Sequence, residues 1–327
     1  ETVEGVAVRR VGLKGRGDRH AFTLAALPAA VSLARRADVV HTMTYNAAFP
    51  ACAAARAAKK PAVLTVHEVV GDKWPLAAGR LAGAALGRAE DAVLSLPFDA
   101  WAVNSLSVKQ DLAARGKPEK DVLCAYPGVD KALFNPDAKK ARDRVRKELG
   151  VAEDAFLVLF FGRPGAMKGV EVLISAVPLV AEKAPETRVL LVLSPDPRSG
   201  RRRSERVAAE LPGLVRVLDP VPRKRLPGII GAADCVAVPS LGEGFGFSLA
   251  EACAVGTPVA ATRAGSIPEV VSGPHVLVSP NDPADLARGI LDVRAGRTDT
   301  APEKDFSWDS YVSAHEGLYQ RLLERDA

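Results

Sequence analysis

Asp234-Cys235-Val236-Ala237-Val238-Pro239-Ser240-Leu241-Gly242-Glu243-Gly244-Phe245-Gly246-Phe247 begins the stretch on which the reading of this chain turns. The apolar run from Asp234 to Val238, halted by Pro239-Ser240, predicts a buried strand ending in a loop. Three glycines in that loop let backbone amides approach a ligand, which suits an anion or a polar sugar. From Ser248, the run Leu249 to Val255 is helical in composition and stops at Gly256-Thr257-Pro258. Val259 to Thr262 then returns as a strand, and Ile267 to Val271 starts another helix.

A helix N-terminus carries unpaired amides and a partial positive charge, so this junction favours a phosphate or a carboxylate. Glu243 in the loop and Glu251 in the helix add two acceptors at the same mouth, and carboxylates suit hydroxyls. Amides for phosphate together with carboxylates for hydroxyls describe a nucleotide sugar better than a bare nucleotide. A helix-borne glutamate taken alone is usually solvated; the whole stretch gives Glu251 its meaning.

Glu243, seven intervening residues and Glu251, set within Pro239 to Val259, closely resemble the signature of retaining glycosyltransferases of family 4, which have the GT-B architecture. The resemblance implies that Glu251 holds the donor's ribose hydroxyls. It also implies that Glu243, with Gly244, Phe245, Gly246, Phe247, Ser248 and Leu249, holds the donor sugar and phosphate. Ala254-Val255 departs from the cysteine or leucine more usual before the glycine.

A chain of 327 residues suggests two domains. Hydrophobic residues make up 48% and charged residues 25%, an ordinary globular balance that argues against disorder. There is no run of eighteen apolar residues, so no membrane-spanning helix is predicted. The start at Glu1, without Met or a leader-like segment, suggests that residues precede it or were removed. Cys52, Cys124, Cys235 and Cys253 lie far apart in apolar contexts and read as buried thiols of a reducing compartment. The five histidines lack ligand spacing, so no metal site is predicted. Residues 1–150 carry 24 Lys and Arg against 16 Asp and Glu, and the remainder 20 against 23. The basic front half suits a solvated surface first, and beyond that a phosphorylated acceptor or an anionic membrane surface. No RNA-binding aromatic motif or zinc finger points to nucleic acid.

Strand and helix patterns alternate along the front half. Strands are predicted over 3–11, 38–41, 62–67, 100–104 and 122–125, with helices over 22–37, 47–58 and 77–94 and another after the cap Ser105. Lys14 to Asp18 reads as a polar loop. Such alternation predicts a parallel sheet with sites beyond the carboxyl ends of its strands, where His41, Thr42, His67 and Glu68 fall. Thr65-Val66-His67 resembles the family's Thr-x-His, which implies that His67 lies near the donor sugar and phosphate. Tyr126-Pro127-Gly128-Val129-Asp130 resembles the family's interdomain turn, with Pro127 in place of Asn. The charged run Lys139 to Lys147 reads as a surface linker and helix.

The second half opens with the strand Phe156 to Phe161 and the turn Gly162-Arg163-Pro164-Gly165-Ala166-Met167-Lys168-Gly169, then a helix to about residue 183. Arg163 and Lys168 could neutralise a diphosphate, and they resemble the family's Gly-Arg and Lys-Gly pairs that bind it. Further strands are predicted over 189–193, 215–218 and 275–278, a helix over 283–293 and a mobile Pro- and Arg-rich loop over 195–203. The loop after Val221-Pro222 would pass the nucleobase by the same resemblance. The last helix follows Ser307, with Trp308, Tyr311, Val312, Leu318, Tyr319 and Leu322 forming one core stripe.

The resemblance implies an α/β protein of GT-B type, two Rossmann-like doubly wound domains facing each other across a cleft. Residues 1–137 with 308–327 would form the acceptor side, and 148–305 the nucleotide-sugar side. The family's first strand and glycine-rich loop are not found before Val3. The implied activity is metal-independent, cofactor-free retaining transfer of a hexose from UDP- or GDP-hexose to a glycan or lipid-linked acceptor. The expected location is cytoplasmic, with peripheral contact at the inner membrane face. A non-catalytic nucleotide-sugar-binding protein, or an inactive subunit, is one alternative; a GT-B nucleotide-sugar epimerase is another.

Overall fold

A strand buried on both faces must divide its side chains between two cores, and the apolar runs of this chain do so in each half. The computed structural model describes residues 1–11, 18–43, 45–195 and 198–325. Its described residues form two units, Glu1–Ala125 with Asp309–Ala327, and Tyr126–Trp308.

The first unit begins with an exposed antiparallel hairpin, β1 (Thr2–Val3) and β2 (Val6–Ala7). The single strand expected over 3–11 does not form, because Glu4 and Gly5, at φ 48° and 84°, turn the chain back. Residues 14–17 of the expected polar loop lie outside the described residues. The helix expected over 22–37 is two, Asp18–Ala25 and Leu27–Ala34, with Pro28 in the first turn of the second. Strands β3 (Val40–Thr42), β4 (Ala62–Val66), β5 (Ala100–Val103) and β6 (Val122–Cys124) make a parallel sheet in that order. Ser105 caps the helix Leu106–Ala113 by accepting from Val108 N–H at 3.2 Å.

Leu64, Val66, Trp101 and Val103 face one core with Phe98 and Leu112. Val63, Ala100 and Ala102 face the other, where Leu318 and Leu322 of the C-terminal helix Trp308–Arg325 pack. Small alanines leave room for that helix to lie close. The expected stripe needs correction: Trp308 and Val312 are each 50% exposed, and the buried positions are His315, Leu318 and Leu322.

In the second unit, β7 (Phe156–Gly162), β8 (Thr187–Leu193), β9 (Val215–Leu218), β10 (Cys235–Val238), β11 (Val259–Thr262), β12 (Gly273–Val278) and β13 (Asp299–Ala301) form one sheet. Its order is β13-β12-β11-β10-β7-β8-β9, parallel except for β13. Leu157, Leu159 and Phe161 serve one core, and Val158 and Phe160 the other. The order reverses direction between β7 and β10, the switch point at which ligands collect in such sheets. Segment 126–150 packs on this unit through Phe134, Val145 and Leu149. The run Lys139 to Lys147 is therefore not all surface. Arg146 is 4% exposed, and Asp234 gathers Arg142 at 2.6 Å, Arg146 at 3.1 Å and the Leu157 amide at 2.7 Å. Arg198–Ala208 is a helix where the sequence suggested a loop over 195–203. Among the described residues no helix is long and apolar enough to cross a membrane.

His41 lies between the sheet and the C-terminal helix, its Nδ1 2.6 Å from Tyr319 Oη and its Nε2 2.7 Å from Thr65 Oγ1, with the His315 ring stacked on it at 5.8 Å. Burial first, and then the neighbouring His315 and His67, lower its pKa from 6.5 to about 4. A histidine depressed in the folded state stabilises fully above its unfolded pKa and loses that contribution as pH falls. Wild-type stability should therefore fall between pH 6.5 and about 4 by at most about 3 kcal/mol from this group. In His41→Gln, which keeps polar partners without titrating there, thermal melts should show a smaller acid loss. An equal loss would remove His41 as its source.

Candidate functional site

Two loops leave the switch point, 163–169 from β7 and 239–246 from β10, and hydrogen bonds join them. The Leu241 amide donates to Met167 O at 2.8 Å. Lys168, in the turn Ala166–Lys168, places its Nζ 2.6 and 2.7 Å from the two carboxylate oxygens of Glu243. Ser240 Oγ donates to Glu243 Oε2 at 3.0 Å, and Thr262 Oγ1 holds the Ser240 carbonyl at 2.5 Å. The Glu243 side chain is 9% exposed and that of Lys168 29%. In this setting an unpaired carboxylate would be costly, and the lysine and serine satisfy it.

Two glycines make this approach possible. At Gly169, with φ 64°, a Cβ would meet Pro239 O at 1.9 Å. At Gly265, with φ 53°, a Cβ would meet Glu243 O at 2.3 Å. Neighbouring Ser266 N–H donates to that same carbonyl at 3.0 Å. The loop of Glu243 is thus gripped from both sides, by side chain and by backbone.

Gly246 precedes the helix Phe247–Val255 and no side chain caps it. Its first intrahelical donor is Ala250 N–H, which reaches Gly246 O at 3.0 Å, so the amides of Phe247, Ser248 and Leu249 have no intrahelical acceptor. Gly244 and Phe245 are buried, Phe247 is 47% exposed and Ser248 is half-buried. Glu251 sits one turn further on, 5% exposed, with Arg223 Nη1 donating to its Oε1 at 3.1 Å. Burial raises the pKa of Glu251, and Arg223 opposes that rise.

The structure thus brings Gly162, Lys168, Glu243, Gly244, Phe245, Gly246, Phe247, Ser248, Leu249 and Glu251 to the carboxyl ends of β7 and β10. Arg163 stands exposed at the end of β7, with no ion pair among the described residues. His67 belongs to the first unit, exposed at the end of β4, where surrounding protein atoms still desolvate the ring enough to lower its pKa. Its loop is anchored by Glu90, which accepts from Val70 N–H at 3.0 Å and Gly71 N–H at 2.8 Å. Sequence reasoning missed Ser240, Arg223 and Glu90. Only Arg223 had a signal, its place just after Val221-Pro222. Among the described residues no three His, Cys, Asp or Glu side chains are grouped to hold a metal.

An uncapped helix start, a lysine, an arginine without an ion pair among the described residues, and the carboxylates of Glu243 and buried Glu251 can together bind a ligand bearing both phosphate and hydroxyl groups. The model of Glycosyltransferase Family 4 matches residues 1–133, and that of Glycosyl transferases group 1 matches residues 155–295. The D-inositol 3-phosphate glycosyltransferase of Corynebacterium efficiens is 36% identical over 237 residues, 68% of this chain and 56% of that relative. That of Thermomonospora curvata is 39% identical over 181 residues, 51% of this chain and 42% of its own. The chain thus spans about half the length of such relatives. In fold it is similar to HepE of Anabaena, solved with UDP and glucose, at TM-score 0.71 and 22% identity, covering 93% of this chain and 82% of that one. Sucrose-phosphate synthase of Thermosynechococcus elongatus gives TM-score 0.69 and 24% identity, over 94% and 76%.

Gly265→Ala should destabilise the second unit by roughly 1–3 kcal/mol, since the new methyl must displace the Glu243 backbone in a left-handed conformation. Urea unfolding would measure the loss, and faster hydrogen exchange over 241–247 would locate it. An unchanged midpoint and exchange pattern would mean that the loop is not held at Gly265.

Proposed function

Because the chain belongs to glycosyltransferase family 4, we propose that it is a retaining transferase moving a hexose from a nucleoside diphosphate sugar to an acceptor hydroxyl. The reading is carried by Glu243, largely shielded, and Glu251, buried, two carboxylates each held by a cation, on either side of an uncapped helix start. UDP-hexose is the donor we favour over GDP-hexose, because HepE, which shares the fold, was solved with UDP and with UDP-glucose.

On donor arrival Lys168 exchanges Glu243 for diphosphate oxygens, freeing Glu243 to accept from the sugar hydroxyls. Arg163 adds a two-pronged contact to the same diphosphate. The amides of Phe247, Ser248 and Leu249 complete the phosphate cradle, and Glu251 takes the ribose hydroxyls. We assign His67 a role toward the donor sugar, after the resemblance of Thr65-Val66-His67 to the family's Thr-x-His. The bond from the anomeric carbon to the phosphate oxygen breaks as the acceptor oxygen bonds on the same face. The departing phosphate oxygen takes the acceptor's proton. No protein nucleophile enters this scheme, and cationic side chains take the part that a divalent ion plays elsewhere.

For the acceptor we favour a phosphorylated polyol, after the D-inositol 3-phosphate glycosyltransferases that the chain is similar to. The basic front half suits such a substrate, and also an anionic membrane face on the cytoplasmic side where a lipid-linked acceptor would be met.

UDP should raise the melting temperature with or without EDTA, and Glu251→Ala should abolish the shift. With UDP-glucose and D-inositol 3-phosphate, Arg163→Ala and Lys168→Ala should each lower kcat by about 10²–10³. Near wild-type turnover in both variants would sink the electrostatic role. Binding without hydrolysis or transfer would identify a nucleotide-sugar-binding protein instead. A new nucleotide sugar formed without acceptor would identify an epimerase.

A further inference from the structure

Glu251 is buried in the helix Phe247–Val255, a place where an isolated carboxylate is not stable in its charged form. Its ion partner is Arg223, from the turn Arg223–Arg225 ahead of the helix Leu226–Ala232, with Nη1 at 3.1 Å from Oε1. The guanidinium lies over the ring of Phe134 at 5.0 Å, and Phe134 is itself fully buried, so the arginine's direction is fixed from beneath. At 60% exposure the arginine side chain keeps its own hydration on the far side.

We infer that Arg223 is a positioning residue that keeps Glu251 ionised and aimed for the ribose of the donor nucleotide, an inference that rests on the donor-site reading above. A carboxylate offers about four lone-pair directions. Arg223 uses one, which leaves Oε2 and the second lone pair of Oε1 for two vicinal hydroxyls. Among the described residues Arg223 is the one ion-pair partner of Glu251, and Lys304, the cation near Cys253 of the same helix, donates to the Glu269 carbonyl. On the elements packed against its helix, Glu243 is committed to Lys168, Glu269 accepts from Tyr126 Oη at 2.7 Å and Lys139 donates to Gly256 O at 2.5 Å. Lys140 pairs with Asp137 at 2.8 Å, and Arg225 with Glu148 at 2.9 Å. The opposing influences of burial and Arg223 on Glu251 agree with this geometry.

The test is UDP binding by calorimetry from about pH 6 to about pH 8, in buffers of differing ionisation enthalpy. Variants are Arg223→Met, Arg223→Lys and Arg223→Met with Glu251→Gln. In Arg223→Met the carboxyl loses its cation, so affinity should fall about tenfold or more near pH 6 and recover toward pH 8. Binding to this variant should release more protons than binding to wild type; the ligand's own titration cancels in that difference. Arg223→Lys should restore the wild-type profile, and Glu251→Gln in the Met background should flatten it. A merely structural arginine would weaken binding equally at all pH values. An Arg223→Met profile parallel to wild type would overturn this inference alone, whereas failure of wild type to bind UDP, GDP or ADP would overturn the donor-site reading and this inference with it.

Discussion

The ion pair of Lys168 with Glu243 fixes the shape of the candidate site. It joins the two loops that leave the sheet where strand order reverses, and it lies where solvent reaches the lysine but scarcely the glutamate. Water therefore screens it less than an exposed pair, while the lysine avoids the full desolvation penalty of burial. Breaking it would leave Glu243 with Ser240 as its side-chain partner. The close backbone packing at Gly169 and Gly265 then follows as a requirement, since the pair forms only if both loops descend to that depth.

Glu251 repeats the device with a different cation. Each carboxylate proposed to contact the ligand is neutralised in the free protein by a side chain that is itself partly exposed. Such an arrangement keeps the site folded and charged without ligand, and it lets hydroxyl and phosphate groups replace or join existing partners rather than create new ones. The cost of binding is thereby an exchange of hydrogen bonds, which is small, rather than a fresh desolvation, which is large.

Much of this was legible in the sequence because it rests on local pattern. Phe156 to Phe161 and Cys235 to Val238 are continuous apolar runs, and a parallel sheet covered on both faces demands them. The loop and helix from Glu243 to Glu251 were legible because glycines, carboxylates and helix formers follow one another within a few residues. What escaped has nonlocal causes. Asp299-Thr300-Ala301 is a polar edge strand paired on one side by β12, so it has no apolar alternation to read. Arg198–Ala208 is a helix in which Arg201 turns back to Glu205, to Leu193 O and to Asp219, partners that composition cannot supply. Val312 matched a helical stripe by spacing, but the face that meets Val63, Ala100 and Ala102 is set by Leu318 and Leu322. Arg223 is 28 residues from Glu251 in sequence, and only the fold joins them.

Glu90 shows why the cations at Glu243 and Glu251 are informative. It is 2% exposed, more buried than either, yet it has no cation within ion-pair distance among the described residues. The amides of Val70 and Gly71 and the hydroxyl of Tyr45 satisfy it, and burial together with Glu90 drives the pKa of that hydroxyl up. Neutral donors from a loop and a helix therefore suffice to hold a buried carboxylate in this protein when its task is to fix backbone. A carboxylate that must meet a ligand needs a partner that can share it or give it up, and a flexible, partly exposed lysine or arginine head can do so where a backbone amide fixed in its loop cannot. Partner type thus separates the structural glutamate of the first unit from the two placed beside the uncapped helix of the second.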